Sequence, residues 1–564
     1  MLSRRTLLKS SALAAAATTL PRAISAAPGN PASAPDYPAE APTTGDRVNA
    51  QADFAVVDTA SGKVRGSSRN GILTFKGIPY AASTAGAARF LPPQKPKPWT
   101  GVRSSLTYGE VCPQPARTGW AHDEEAWLFN WDDGQPGEDC LRLNIWSPAL
   151  DNRKRPVMFW LHGGGYTAGS GQELPSYDGE SLARRGDVVV VSINHRLNVL
   201  GYLNLADYGT QYADSANVGM LDIVAALEWV RDNIDGFGGD PGTVMIFGQS
   251  GGGGKVSTLM AMPSAKGLFH RAVVESGSTL RVGNEDVSRT TAAALLKELG
   301  LDKSSVEKLH DIPIADLEAA AVKVTRMPRL TGVINFRSMS ERPGWYPVMD
   351  GRVIAQHPFD PQASPLSASV PMIVGCTLNE FTTGIGRPDA FEMTQAQLEK
   401  QVAERFKDKS SQVIAGYRQL YPNANPFQLW SVIATSGVRR SVIEQCTRKA
   451  EQNAAPAYCY QFTWQTPILN GRLMSFHCSE LAFVFNNTAR CDRMTGDGEA
   501  ARALAAKMSD AWIAFARTGN PNTKALPRWK PFTAAARTTM IFNDTCQAKD
   551  NLDNDQLKLT EPQS

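Results

Sequence analysis

The chain has 564 residues, 42% hydrophobic and 20% charged, the make-up of an ordinary soluble globular protein with room for several domains or one large α/β domain with insertions. Its formal charge of +3 sits at the start, where Arg4, Arg5, Lys9 and Arg22 stand among the first 26 residues without an acid. The remainder is nearly neutral, which argues against nucleic acid or an anionic membrane surface as its main partner.

Ser3-Arg4-Arg5-Thr6-Leu7-Leu8-Lys9 reads as a twin-arginine export signal. A weakly apolar run, 10–20, follows it, and then small residues suited to cleavage, so 1–27 is expected to be a signal peptide. The run is too short and alanine-rich for a permanent anchor, and no other stretch reaches the roughly 18 unbroken apolar residues of a spanning helix. The expected location is therefore periplasmic or secreted, without a stable membrane anchor and with the twin-arginine machinery as a partner during export. Residues 28–52, rich in Pro, Ala, Thr and Gly, read as a flexible linker.

Residues 59–66 look like a hairpin and 73–80 the strand after it. A tryptophan-rich segment with Trp120, Trp127, Phe129 and Trp131 lies between Cys112 and Cys140. A buried strand over 155–161 runs into His162-Gly163-Gly164-Gly165, and a second strand covers 188–193. Met220, Ile223, Val224, Leu227, Val230 and Ile234 recur at helical spacing. Further strands are expected over 244–249, 270–275, 370–376, 457–464 and 539–543, and a long helix over 499–518. Residues 281–345 read as a polar, mostly helical insertion, and 393–455 as helical again. Strands alternating with helices predict an α/β protein whose mostly parallel sheet carries helices on both faces.

Eight cysteines in an exported chain invite disulfides, though sequence alone does not fix the pairing. Cys112 and Cys140 would close a moderate loop, worth roughly 3–4 kcal/mol in the chain-entropy description. Cys478 with Cys491 is a second candidate pair. Cys376 and Cys459 sit in apolar strand-like runs and read as buried thiols. Cys446 and Cys546 have no assigned place.

Gly248-Gln249-Ser250-Gly251-Gly252 follows an apolar run and precedes a helical one, the setting of a nucleophile elbow. Alone, the pentapeptide is equally compatible with a glycine-rich turn. A Walker A loop is excluded because Lys255 comes one residue too late. A dinucleotide loop at Gly163-Gly164-Gly165-Tyr166-Thr167-Ala168 lacks an acid at the end of the next strand. An elbow serine needs an acid and then a base, in that chain order. Glu380 follows a late strand, and His477 is the one histidine beyond it. The backbone N–H of Gly251 and those of the His162-Gly163-Gly164-Gly165 loop supply donors for an oxyanion. Acyl transfer at Ser250 is the chemistry this set supports, with no cofactor and no metal.

These residues, with Gly77-Ile78-Pro79-Tyr80, Glu138-Asp139-Cys140-Leu141, Asn194-His195-Arg196-Leu197, Phe237-Gly238-Gly239-Asp240-Pro241 and His477-Cys478-Ser479-Glu480-Leu481, resemble the type-B carboxylesterase family. The family includes cholinesterases and bacterial para-nitrobenzyl esterases, and the resemblance runs from about 53 to 548. It implies an α/β-hydrolase fold with helical insertions in one carboxylesterase domain, 53–556, and ester hydrolysis through an acyl-enzyme. It implies Ser250 as nucleophile, Glu380 as acid, His477 as base, and Gly164, Gly165 and Gly251 as oxyanion donors. It pairs Cys112 with Cys140, and Arg89 and Arg196 with Glu138 and Asp222, and sets Glu480 behind the histidine loop. In such enzymes the segment holding Trp120, Trp127 and Trp131 borders the substrate gorge, so these are expected substrate contacts, with core packing the alternative. The same machinery can serve carbamates, amides or lactones. Relatives that lost the triad act as binding proteins. The chain departs from the family's habit at Gln249, usually Glu, at Gly251, usually Ala, and at Cys478. Gln249 makes a cationic choline ester a poorer substrate, and Gly251 is expected to loosen the turn.

Overall fold

The structure, a computed structural model, describes residues 48–114, 123–325 and 341–561. The expected 1–27 signal peptide, most of the expected 28–52 linker and Trp120 lie outside them.

The strands that carry the site are buried on both faces, so they read as unbroken apolar runs rather than alternating ones. Successive side chains nonetheless part company. Val157, Phe159 and Leu161 enter one core, while Met158 and Trp160 enter the other. Val244 and Ile246 separate from Met245 and Phe247 in the same way. Helix Val218–Asn233 covers the first face with Met220, Ile223, Leu227 and Val230. Helix Glu499–Thr518 covers the second with Leu504, Met508, Trp512 and Phe515.

The parallel block runs, in spatial order, Val189–Ile193, Arg155–Leu161, Gly239–Gln249, Arg271–Glu275, Met372–Thr377, Ala457–Phe462 and Thr539–Phe542. Its edges are antiparallel. Arg142–Ser147, Ile72–Pro79, Ser67–Arg69 and Val48–Asn49 extend one side, and Gln547–Lys549 closes the other. This is the expected α/β sheet, with edges that strand-helix alternation does not reveal. The end of the presumed 28–52 linker is paired, since Val48 and Asn49 lie opposite Arg69 and Ser68. The early hairpin, Val56–Thr59 with Gly62–Arg65, belongs to a separate small sheet with Val102–Ser104.

Both insertions pack. Ala292, Leu295 and Leu317, from helices Glu285–Glu298 and Ile314–Thr325, join the first core. Helices Gln395–Phe406, Ser410–Leu420 and Pro426–Glu451 build a cluster of their own around Leu398, Val413, Phe427 and Ile433. Pro426–Glu451 starts where it does because Asn425 and Gln428 form a capping box ahead of Pro426.

Arg196 and Asp222 form a fully buried fork, Nε to Oδ2 at 2.8 Å and Nη2 to Oδ1 at 2.6 Å. Arg89 grips Glu138 in the same bidentate manner, at 2.8 and 2.7 Å.

The cysteines depart from expectation: all eight are thiols. Cys112 and Cys140 are buried together and share a hydrogen bond in place of the expected disulfide, with the Cys112 sulfur also accepting the Leu197 N–H at 3.2 Å. Cys478 and Cys491 are likewise thiols, and the Cys478 Sγ donates to Gln249 Oε1 at 3.2 Å.

From Arg155–Leu161 the chain crosses to Val189–Ile193 on one side, then returns to Gly239–Gln249 on the other. Such a reversal opens a crevice at the carboxyl ends of the strands. His162 and Ser250 are the first residues past those two ends.

Candidate active site

Ser250 stands between strand Gly239–Gln249 and helix Gly251–Leu259 with φ 57° and ψ −125°. A non-glycine residue in this conformation is strained by roughly 1–3 kcal/mol and persists only where its surroundings fix it. Here its N–H donates to the Glu275 carbonyl at 2.8 Å, and its own carbonyl accepts from Gly254 N–H at 3.1 Å.

The glycine loop beside it also needs unusual backbone. Gly164 and Gly165 have φ of 76° and 64°, a region that disfavours side chains. The N–H groups of Gly164, Gly165 and Gly251 donate to no backbone or side-chain acceptor among the described residues. Gly251 lies hard against this loop. A Cβ there would lie 2.1 Å from the Gly165 carbonyl oxygen and 2.4 Å from its Cα, so the two backbones are in close contact.

Glu380 follows strand Met372–Thr377 and is buried. Its Oε1 accepts the Thr377 N–H at 2.9 Å, and its Oε2 accepts the His477 Nδ1–H. A main-chain bond from His477 N to Glu380 O, 2.9 Å, ties the two loops as well. With Nδ1 protonated and bonded to the carboxylate, the imidazole lone pair lies on Nε2. His477 remains partly open, at 17% side-chain exposure, against 1% for Glu380.

Two neighbours of the histidine are not evident from the motifs. The Phe381 ring lies 4.1 Å from the imidazole, centroid to centroid, and is 40% exposed. Its only sequence signal is its place directly after the acid. The Gln249 amide nitrogen lies 3.3 Å from His477 Nδ1 and 3.2 Å from Nε2. Near-equal distances set it over the ring face rather than in line with either nitrogen. Its carbonyl accepts from Cys478, whose φ is +75°. Two of the departures from the family's habit therefore touch each other and the histidine.

Behind this layer lie two buried acids. Burial pushes Glu275 up to about 8, partly opposed by the Trp512 indole N–H at 2.7 Å. Burial, then the charges of Glu380 and Glu275, drives Glu480 well above the usual carboxylate range. Its Oε1 accepts from the Ser276 hydroxyl at 3.4 Å.

Of the expected aromatic contacts, Trp127 lies on helix Asp123–Phe129, 44% exposed, with Arg493 over its ring at 5.8 Å. Trp131 is half-buried against the second core. Phe129 meets Phe476 edge to face at 5.8 Å, and Arg472 Nη1 donates to Glu124 at 2.9 Å, so the segment is docked on the histidine loop.

Chemically, the arrangement offers a strained hydroxyl, an oriented imidazole with a buried carboxylate behind it, and unengaged N–H donors beside the hydroxyl. The model of the Carboxylesterase family matches residues 53–560. A para-nitrobenzyl esterase of Bacillus subtilis is 34% identical over 499 residues, 86% of this chain and 94% of that protein. A phenmedipham hydrolase of Pseudarthrobacter oxydans is 33% identical over 87% of this chain and 95% of its own. An esterase of Clostridium hathewayi, described as able to hydrolyse aliphatic aromatic polyesters, superposes with a TM-score of 0.79. It is 38% identical, over 90% of this chain and 98% of that one. A match of this length and depth carries both ancestry and reaction class, and the chain belongs to the carboxylesterase family as a carboxylic ester hydrolase.

Proposed function

We propose that the protein is an exported serine carboxylesterase that works through an acyl-enzyme. The observation that carries this reading is the His477 Nδ1–H bond to the buried Glu380 carboxylate, on loops that flank the elbow serine. In this mechanism His477 Nε2 takes the proton of Ser250 as the hydroxyl oxygen attacks the ester carbonyl. The N–H groups of Gly164, Gly165 and Gly251 hold the oxyanion, and the imidazolium returns its proton to the leaving alcohol. Water then repeats the cycle on the acyl-enzyme, while Glu380 stabilises the imidazolium.

Ser250→Ala is expected to abolish hydrolysis of a short para-nitrophenyl ester with little change in Tm. Activity near that of the parent would defeat the assignment. A fluorophosphonate should add one phosphonyl group to the parent, at Ser250, and none to the variant.

The substrate reading is an ester with an apolar side. Exposed Phe381 and Trp127 support it, together with the relatives named for a para-nitrobenzyl ester, phenmedipham and aliphatic aromatic polyesters. Trp120, Trp127 and Trp131 are its proposed contacts. A panel of esters varied separately on the acyl and alcohol sides tests this, and alanine variants with unchanged kcat/KM across the panel would refute it.

Export rests on the arginine pair, apolar run and small-residue site of 1–27. Cell fractionation should recover the protein in the periplasm or medium, and Arg4→Lys with Arg5→Lys should retain it in the cytoplasm.

A further inference from the structure

Lys255 is a motif residue that the mechanism leaves unused. It lies in helix Gly251–Leu259, five positions after the nucleophile, and is fully buried. Its Nζ donates to the His162 carbonyl at 2.9 Å and reaches the Gly163 carbonyl at 3.5 Å. The groups around it are the Tyr166 ring at 5.9 Å, the Glu173 carboxyl, and the imidazoles of His162 and His195. Burial pushes the amine down to about 7, opposed by Glu173, and burial, then this amine, lowers both imidazoles well below the usual histidine range. A buried amine is costly unless its donors are satisfied, and these two carbonyls belong to the loop before the oxyanion donors.

The geometry of a peptide unit gives the contact its meaning. In a trans peptide the C=O and the following N–H point in opposite directions. The carbonyl of Gly163 shares its plane with the N–H of Gly164, so a donor that fixes the carbonyl from behind also aims the N–H in front. A glycine loop has no side chains of its own to resist rotation. His162 Nδ1 donates to the same Gly163 oxygen at 3.0 Å, so that oxygen is gripped by two donors. Gly164 O is held separately, by Ala168 N–H at 3.1 Å.

We propose that Lys255 is a positioning residue for ester hydrolysis, fixing the His162 and Gly163 carbonyls so that the Gly164 N–H faces the oxyanion. The proposal rests on the serine mechanism given above.

Lys255→Met tests it, with the parent and Ser250→Ala beside it. The methionine fills similar volume without a buried charge, and Tm reads whether the fold holds. KM for a short para-nitrophenyl ester should stay within about twofold while kcat falls roughly 10- to 100-fold. The Ki of a trifluoromethyl ketone with the same acyl chain should rise by the same factor, because its serine adduct carries the oxyanion. Lys255→Gln keeps N–H donors without the charge and should lose less on both measures. It carries the test if the methionine variant does not fold. Unchanged kcat and Ki, or a loss of kcat with unchanged ketone affinity, would overturn the proposal. A parent that ignores the ketone and fluorophosphonate would instead defeat the serine mechanism itself.

Discussion

A methyl group at residue 251 would be driven into Gly165. The neighbour it meets is backbone, so the glycine loop itself must move. Gly251→Ala is therefore expected to lower kcat roughly 10- to 100-fold with KM within about threefold, by displacing an oxyanion donor. Steady-state kinetics on a para-nitrophenyl ester checks this, and a kcat equal to the parent's would refute it. The pairing of Glu380 with His477 could be read from sequence because chain order constrains it. The contacts of Gln249, Cys478, Phe381 and Lys255 could not. Each depends on which loops meet across the crevice, and Gln249 and Cys478 are 229 positions apart. The expected pair Cys112 and Cys140 does meet, as two buried thiols, since nearness alone does not form the bond.

Loops need anchors, and the strand after Arg155–Leu161 ends in one. Past Val189–Ile193, Arg196 is bonded through its side chain and its own N–H to Asp222 on helix Val218–Asn233, and through Nη1 to Leu91 O at 2.7 Å. One buried fork thus joins a strand end, a helix and an early loop. Removing one partner leaves a buried charge alone, so Asp222→Ala should cost about 3–5 kcal/mol in urea unfolding. A loss below about 1 kcal/mol would mean that the cation finds another partner. At this scale the central strands were legible as unbroken apolar runs, and both covering helices by their long apolar periodicity. The short edge strands were not. Val48–Asn49 and Ser67–Arg69 are too brief and too polar to carry a pattern, and their pairing comes from neighbours in space.

For the molecule as a whole, the buried acids give stability a pH dependence that its near-neutral charge would hide. An unfolded glutamate ionises near 4.5, whereas folded Glu275 does so at about 8. The stability it contributes is thus complete below about 4.5 and is lost as pH rises through 8. Glu173, also raised to about 8 by burial, acts in the same direction. Lys255, lowered to about 7, acts in the opposite direction above that pH. Comparison with Glu275→Gln isolates one group, since glutamine still accepts the Trp512 N–H. The Tm advantage of that variant should widen from pH 5 to pH 8. A constant difference would mean that Glu275 is already ionised in the folded protein. The placement of this acid also links the second core to the site, since its main-chain oxygen holds the Ser250 N–H while its side chain faces Trp512.

The amide of Gln249 has two unlike ends, and Cys478 decides which one His477 meets. While the thiol donates to Oε1, the amide turns its positive end to the imidazole face. Without that donor the amide is free to turn over, and its negative end would then sit under the same ring. The first orientation disfavours the imidazolium, and the second favours it. One sulfur-bound hydrogen thus sets the sign of a dipole beneath the His477 ring, so the effects of substitutions at 249 and 478 depend on each other.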